Sequence, residues 1–325
     1  MKLPRRAIFA TAALVAFAVA PAWAQPAKFP DRMIRIVVPF AAGGGVDSMA
    51  RLLANQLTTQ LGVAVIVENR AGANGMLGGK SVQTAPADGY TLLFSAATHV
   101  LAKQVMSNAS YDPQADFAPI ARVGEAPLIL VISPQLEPRK LGDVLTAAKQ
   151  QPDKWSAAIP AAGAPSHLAT LLMAKQANVK LTYVAYKGTQ PALVDVAGGH
   201  VQLLLDSMIS VHPLAKSGKV RPIAITSSKR SPLAPDVPTA QESGFPGLTY
   251  ASWYGVWAPK DTPADRVQLL NTAINLAVAE LAKSGALLNL GIEPVAQDPA
   301  QFKQFIATYV AQSAELLKGA GFKPE

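Results

Sequence analysis

The chain of 325 residues has no cysteine, is half hydrophobic and carries a net charge of +8. The missing thiols exclude disulfides, thiolate metal sites and cysteine nucleophiles. The positive charges are scattered, with no basic stripe interleaved with aromatics, which argues against a nucleic-acid partner and suits a small anion.

The first 24 residues read as an export signal. Lys2, Arg5 and Arg6 precede an apolar stretch from Ala7 to Ala20, and Ala22-Trp23-Ala24 matches a small-residue cleavage site. The mature start is therefore expected at Gln25, in the periplasm. The stretch is short for a membrane span, and no later segment looks long and apolar enough to cross a bilayer. About 300 residues remain, which is room for two domains.

Strand-like runs follow at 34–40, 63–69, 90–96, 127–133, 154–160, 181–186, 201–207, 221–227 and 252–259. Several are apolar on both faces, as strands of a covered parallel sheet are. Helical patterns lie between them. Met49, Leu52, Leu53, Leu57 and Leu61 form one stripe over 46–61, and 167–177 and 263–283 read the same way. This alternation predicts an α/β fold of two domains, each a mostly parallel sheet flanked by helices. The Pro/Gly-rich stretch SPLAPDVPTAQESGFPG (231–247) reads as a tethered connection. Chain crossings are expected near 124–126 and 228–246. They divide the chain into 25–125 plus 247–325, with the C-terminal helices packed back, and 126–246.

The most telling stretch is PFAAGGGVDS (39–48), between an apolar strand and an amphipathic helix. A helix start exposes orphan N–H groups and a positive dipole end, and glycine before it lets an anion approach the backbone. The pattern recurs: VVPFAAGGGVDSMARLLANQL resembles AAIPAAGAPSHLATLLMAKQA, and VAVIVENRAGANG resembles LTYVAYKGTQPA. Two such loops facing each other would grip a small carboxylate, each worth roughly 0.3–1 kcal/mol. The plainer alternative is that Asp47 and Ser166 cap their own helices. It is the preferred reading for Asp47, whereas three glycines exceed what capping needs.

Other motifs fall short. Gly43-x-Gly45-x-x-Ser48, with Glu68 after the next strand, lacks the third glycine of a dinucleotide fingerprint. GMLGGKS (75–81) has Asn74 where a phosphate loop needs glycine, and no G-x-S-x-G occurs. His99, His167, His200 and His212 are not spaced as metal ligands and read as surface or capping residues. Asp206 ends an apolar strand, where α/β clefts open, and either accepts from a ligand or caps the next helix. Trp253, Tyr254 and Trp257 read as core more readily than as cleft wall. No catalytic chemistry, cofactor or metal is expected.

Taken together, VVPFAAGGGVDSMARLLA, VENRAGANG, ADGYTLL, DFAPIARV, AGAPSHLA, YKGTQPALVDVAGGHVQ, DVPTAQESGFPG and WYGVWAPKDTP resemble the substrate-binding proteins of tripartite tricarboxylate transporters, the Bug-type periplasmic receptors. The resemblance runs over essentially the whole mature chain. It implies a Venus-flytrap fold that closes by a hinge on a small carboxylate and delivers it, as a monomer, to a membrane transporter. A sensor kinase is the alternative partner. It also implies a site built from Phe40, Ala41, Ala42, Gly43, Gly44 and Gly45 in the first loop, and Ala162, Gly163 and Ser166 in the second, with His167 behind. Asn69, Ser95, Thr98, Lys187, Thr189 and Asp206 complete the implied set. Two departures stand out: an extra glycine in the first loop, and Ala164-Pro165, which stiffens the second.

Overall fold

The computed structural model describes residues 29–324, so the export signal lies outside the described residues. The chain opens with β1 (Ile34–Val38), α1 (Gly45–Leu61), β2 (Val65–Asn69), α2 (Met76–Gln83), β3 (Thr91–Ala96) and two single turns, α3 (Ala97–Val100) and α4 (Ala102–Val105). A long strand, β4 (Phe117–Ile132), leads to α5 (Leu141–Gln150), β5 (Ser156–Ile159), α6 (Pro165–Ala177), β6 (Thr182–Ala185), α7 (Thr189–Gly198), β7 (Leu203–Ser207), α8 (Met208–Lys216) and β8 (Arg221–Ile225). After a 25-residue connection, 226–250, come β9 (Ala251–Pro259), α9 (Ala264–Lys283), α10 (Ala286–Asn289), β10 (Glu293–Pro294) and α11 (Pro299–Gly319).

The strands order as β2-β1-β3-β9-β4-β7-β5-β6, with β8 and β10 also paired to β4. The two ends are parallel, β2-β1-β3 and β7-β5-β6, as continuous apolar runs require. The centre is antiparallel: β9 runs against β3 and β4, and β4 against β7 and β8. β4 is longer than its apolar run implied. Pro119, Arg122, Gly124 and Glu125 interrupt the pattern of its first half, which carries two register shifts against β9.

β4 serves both halves of the sheet. It pairs with β9 through Pro127 and with β7 and β8 from Leu128 onward. Thr226 ties the two chain crossings together there. Its hydroxyl accepts from the Leu128 N–H at 2.9 Å and donates to the Tyr250 carbonyl at 2.5 Å. Helices cover both faces of each half. α1 and α9 enclose one core with β1, β3 and β9, and the Gln60 amide donates to the Ala273 carbonyl between them. α11 packs on the opposite face, against Trp253 and Trp257. It also shares that core with Leu168 and Leu171 of α6, so the C-terminal helix clamps both halves.

The close fit of α11 on β9 needs a glycine at 255, where an added Cβ would lie 2.9 Å from the Trp257 ring and nearer still to Phe302. Gly255→Val is expected to lower stability by about 1–3 kcal/mol, measured by chemical denaturation, with the wild-type value sinking this account of the packing.

Candidate ligand cleft

The internal repeat of the sequence is a repeat of geometry. After β1, Gly43 is left-handed (φ +86°), Gly44 is an extended N-cap and α1 begins at Gly45. After β5, Gly163 is left-handed (φ +71°), Ala164 is an extended N-cap and α6 begins at Pro165. In each loop the left-handed glycine donates its N–H to the side chain four residues on. Gly43 reaches Asp47 Oδ2 at 2.9 Å, and Gly163 reaches His167 Nδ1 at 3.1 Å. One orphan amide of each loop is thereby satisfied from behind.

The two locks differ in charge. Burial works to raise the Asp47 pKa, but Arg51, the Gly43 N–H and Asn69 together hold it below the usual carboxylate value. His167 is driven down to about 4 by burial, so it is neutral at physiological pH, as its acceptor role requires. The openings differ too. Gly45 offers an N–H at the first helical position, whereas Pro165 has none. On the second loop the buried Ser166 hydroxyl, which has no partner among the described residues, fills that role.

Phe40, Ala41, Ala42, Gly44, Gly45, Thr98, Ser166, Lys187, Thr189 and Asp206 line one cleft between the two loops. The N–H groups of Gly45 and Val46 make no hydrogen bond among the described residues. The remaining expected residues lie off that wall. Gly43 and Asn69 stand behind it, with the Asn69 amide holding the Phe40 carbonyl at 3.0 Å and Asp47 Oδ1 at 2.9 Å. Ser95 is wholly buried in β3. Ala162 and His167 face a second chamber. Gly163 is turned toward α4, where an added Cβ would sit 2.9 Å from Val105.

The structure adds residues that the sequence reading left out. Ser207, Ser210 and Ser252 line the cleft; Tyr254, which the sequence placed in the core more readily than on the wall, is buried and lines it too, its hydroxyl 2.9 Å from Ser207 Oγ. Trp253 and Trp257 are core. His99 and His167 are buried, not on the surface: His99 packs edge-on to Phe117 and Trp257 inside an aromatic core. Glu68 is paired with Arg70 and Arg35, and Gly78 of the phosphate-loop decoy is a packing residue whose Cβ would lie 2.7 Å from Pro39.

Burial pushes the Asp206 carboxyl up to about 6, against the lowering effect of the Thr189 hydroxyl and the Ser207 N–H, each at 2.7 Å. No salt bridge reaches it among the described residues. Two contacts close the cleft: Gln190 donates to the Gly43 carbonyl at 3.0 Å and Asn74 to the Ala162 carbonyl at 2.9 Å. Asn74 reaches across from a turn in which every residue from Gly72 to Gly75 has a positive φ.

The family model described as "Tripartite tricarboxylate transporter family receptor" matches residues 49–322. The chain belongs to that receptor family. Protein BugT of Bordetella pertussis is 37% identical over 297 residues, covering 91% of both chains. A protein from the tcbD-tcbE intergenic region of Pseudomonas sp. is 38% identical over 83% of this chain and 81% of its own. Among solved structures, the periplasmic binding protein BugD superposes with a TM-score of 0.85 at 35% identity, covering 91% of this receptor and all of BugD. An R. palustris protein with adipate reaches 0.88 at 33%, covering 92% and 100%, and MatC from Rhodopseudomonas palustris with bound malate reaches 0.82 at 32%, covering 89% and 100%. The receptor is thus a two-lobed periplasmic solute-binding protein by family and fold.

The three loop glycines differ in what they demand. Gly43 needs a left-handed backbone, Gly45 has Ser210 Oγ and Tyr254 OH at 3.0 and 3.2 Å from an added Cβ, and Gly44 would meet only the Ala41 carbonyl, at an ordinary 3.9 Å. Gly45→Val is therefore expected to cost about 1–3 kcal/mol and Gly43→Ala about 1 kcal/mol, while Gly44→Ala stays within about 0.5 kcal/mol. Thermal melts of the three variants check this ranking, and equal losses at all three would contradict it.

Proposed function

We propose that this receptor captures a small mono- or dicarboxylate between lobes 25–125 plus 247–325 and 126–246, hinged at β4 and Thr226. It acts as a monomer after export and delivers its cargo to a tripartite tricarboxylate-type membrane transporter. The observation that carries the reading is the pair of repeated loops, one bringing free amides and the other the free Ser166 hydroxyl to one cleft. Peptide dipoles at a helix start favour an anion without a neutralising side chain. Lys187, exposed to solvent, is the one cation on that wall among the described residues, and Arg51 is engaged by Asp47 and Asn69 behind it. The solved relatives with adipate and with bound malate support the carboxylate class.

A thermal-shift screen of carboxylic acids tests the reading. A ligand at a hundred times its Kd adds about 2.7 kcal/mol of stability. Gly44→Asp should abolish the shift by placing a carboxylate where the anion docks. Unchanged binding in calorimetry would remove the first loop from the site.

The Asp206 carboxyl predicts how affinity depends on pH. Its pKa of about 6 in the unliganded protein rises further when a second negative charge enters the cleft. The complex then binds a proton that the free protein has lost. Affinity is accordingly full below pH 6 and falls as pH rises above it, by up to about tenfold per unit. Calorimetry between pH 5.5 and 8 should follow this course, and Asp206→Asn should flatten it. Affinity that rises with pH would mean that the ligand donates to an ionised Asp206 instead.

A further inference from the structure

The cleft at the loop tips is small, about 80 Å³. On the α6 side of the same loops lies a chamber of about 750 Å³. Phe40, Pro160, Ala161, Lys187 and Gly188 border both spaces. A short aliphatic acid seated at the amides would leave the larger space unfilled.

The chamber's walls have a definite chemistry. Phe40, Tyr183, Tyr186, His167 and Phe322 supply rings, and Leu171 and Met106 supply aliphatic surface. His167 meets Tyr183 and Phe322 edge-on, with ring centroids at 6.2 and 5.2 Å. Its Nδ1 is committed to the Gly163 N–H, so the imidazole presents a neutral face. Tyr183 stands on β6, the last strand of the sheet, and is 42% exposed despite its size. Among the described residues the wall carries no carboxylate, and its two charged groups are Lys187 and Lys323. Rings pack favourably on other rings in offset or edge-on geometry, and an apolar chamber with cations and no anions rejects positive ligands while accepting negative ones.

We propose that the chamber holds the ring of an aromatic carboxylate whose head group sits at the amides of the first loop and the Ser166 hydroxyl. This rests on the carboxylate reading above and narrows it to a ligand class. The cargo is then a benzoate-like acid, its ring against Tyr183 and His167 and its carboxylate at the Phe40–Gly45 turn.

The test compares benzoate and terephthalate with malate and adipate on the full mature chain, by thermal shift and calorimetry. The aromatic acids are expected to bind at least tenfold more tightly. Ala185→Trp, at an exposed position of the chamber wall, should cut aromatic affinity at least tenfold by filling the space. Tyr183→Ala should weaken it several-fold by removing a ring, and both variants should keep malate affinity within twofold. Circular dichroism checks that each is folded, and Tyr183→Ala carries the test should Ala185→Trp not fold. Binding of the aliphatic acids alone would overturn the aromatic assignment and leave carboxylate capture standing. Aromatic binding untouched by either variant would overturn the chamber's role. No shift with any of the four acids would overturn both readings.

Discussion

A peptide N–H at the start of a buried helix has no carbonyl four residues behind it, and something else must satisfy it. The cleft of this receptor is arranged around that need. In each loop one amide is turned inward and tied to a side chain of the first helical turn, by Asp47 in one half and His167 in the other. Fixing that amide holds the left-handed glycine in place, and the glycine in turn aims the neighbouring donors at the cleft. Asp47 also anchors Arg51 and Asn69, and Asn69 holds the Phe40 carbonyl. The turn is held by the chain's own hydrogen bonds, which lowers the ordering that binding must offset.

The two halves share this geometry but not its electrostatics. The first uses an ionised lock and keeps the N–H at position 45. The second uses a neutral ring and gives up that N–H to proline, with the unpartnered Ser166 hydroxyl beside it. One wall therefore has a free N–H at the first helical position, and the other a rotatable hydroxyl beside the remaining amides of its first turn. A buried carboxyl, Asp206, lies between them without a salt-bridge partner among the described residues. Such a group couples proton uptake to the anion capture proposed here.

Gln190 and Asn74 each reach a carbonyl of the opposing half's loop, while Thr226 knots the two crossings. The proposed hinge is a continuous strand, β4, whose partners change between Pro127 and Leu128. α11 restrains it further by packing on α6 as well as on its own half.

Much of this was legible in the residues. Nine strand-like runs each correspond to a strand, the inner ones apolar because both their faces are covered, and the repeat of FAAGGG and PAAGAP marked the two loops. The first half of β4 was hidden by Pro119, Gly124 and two charges, and β10 was too short to register. Which loop residues face the cleft was not legible either. Gly43 and Gly44 are the same residue type, yet one is locked behind the wall and the other lines it. Ser210 and Tyr254 join the cleft only because α8 and β9, far apart in the chain, meet there. The sequence by itself determined which backbone segments are strand, turn and helix, since periodicity and glycine act over a few residues. The tertiary structure alone decided which donors remain free, because that depends on partners brought from distant parts of the chain.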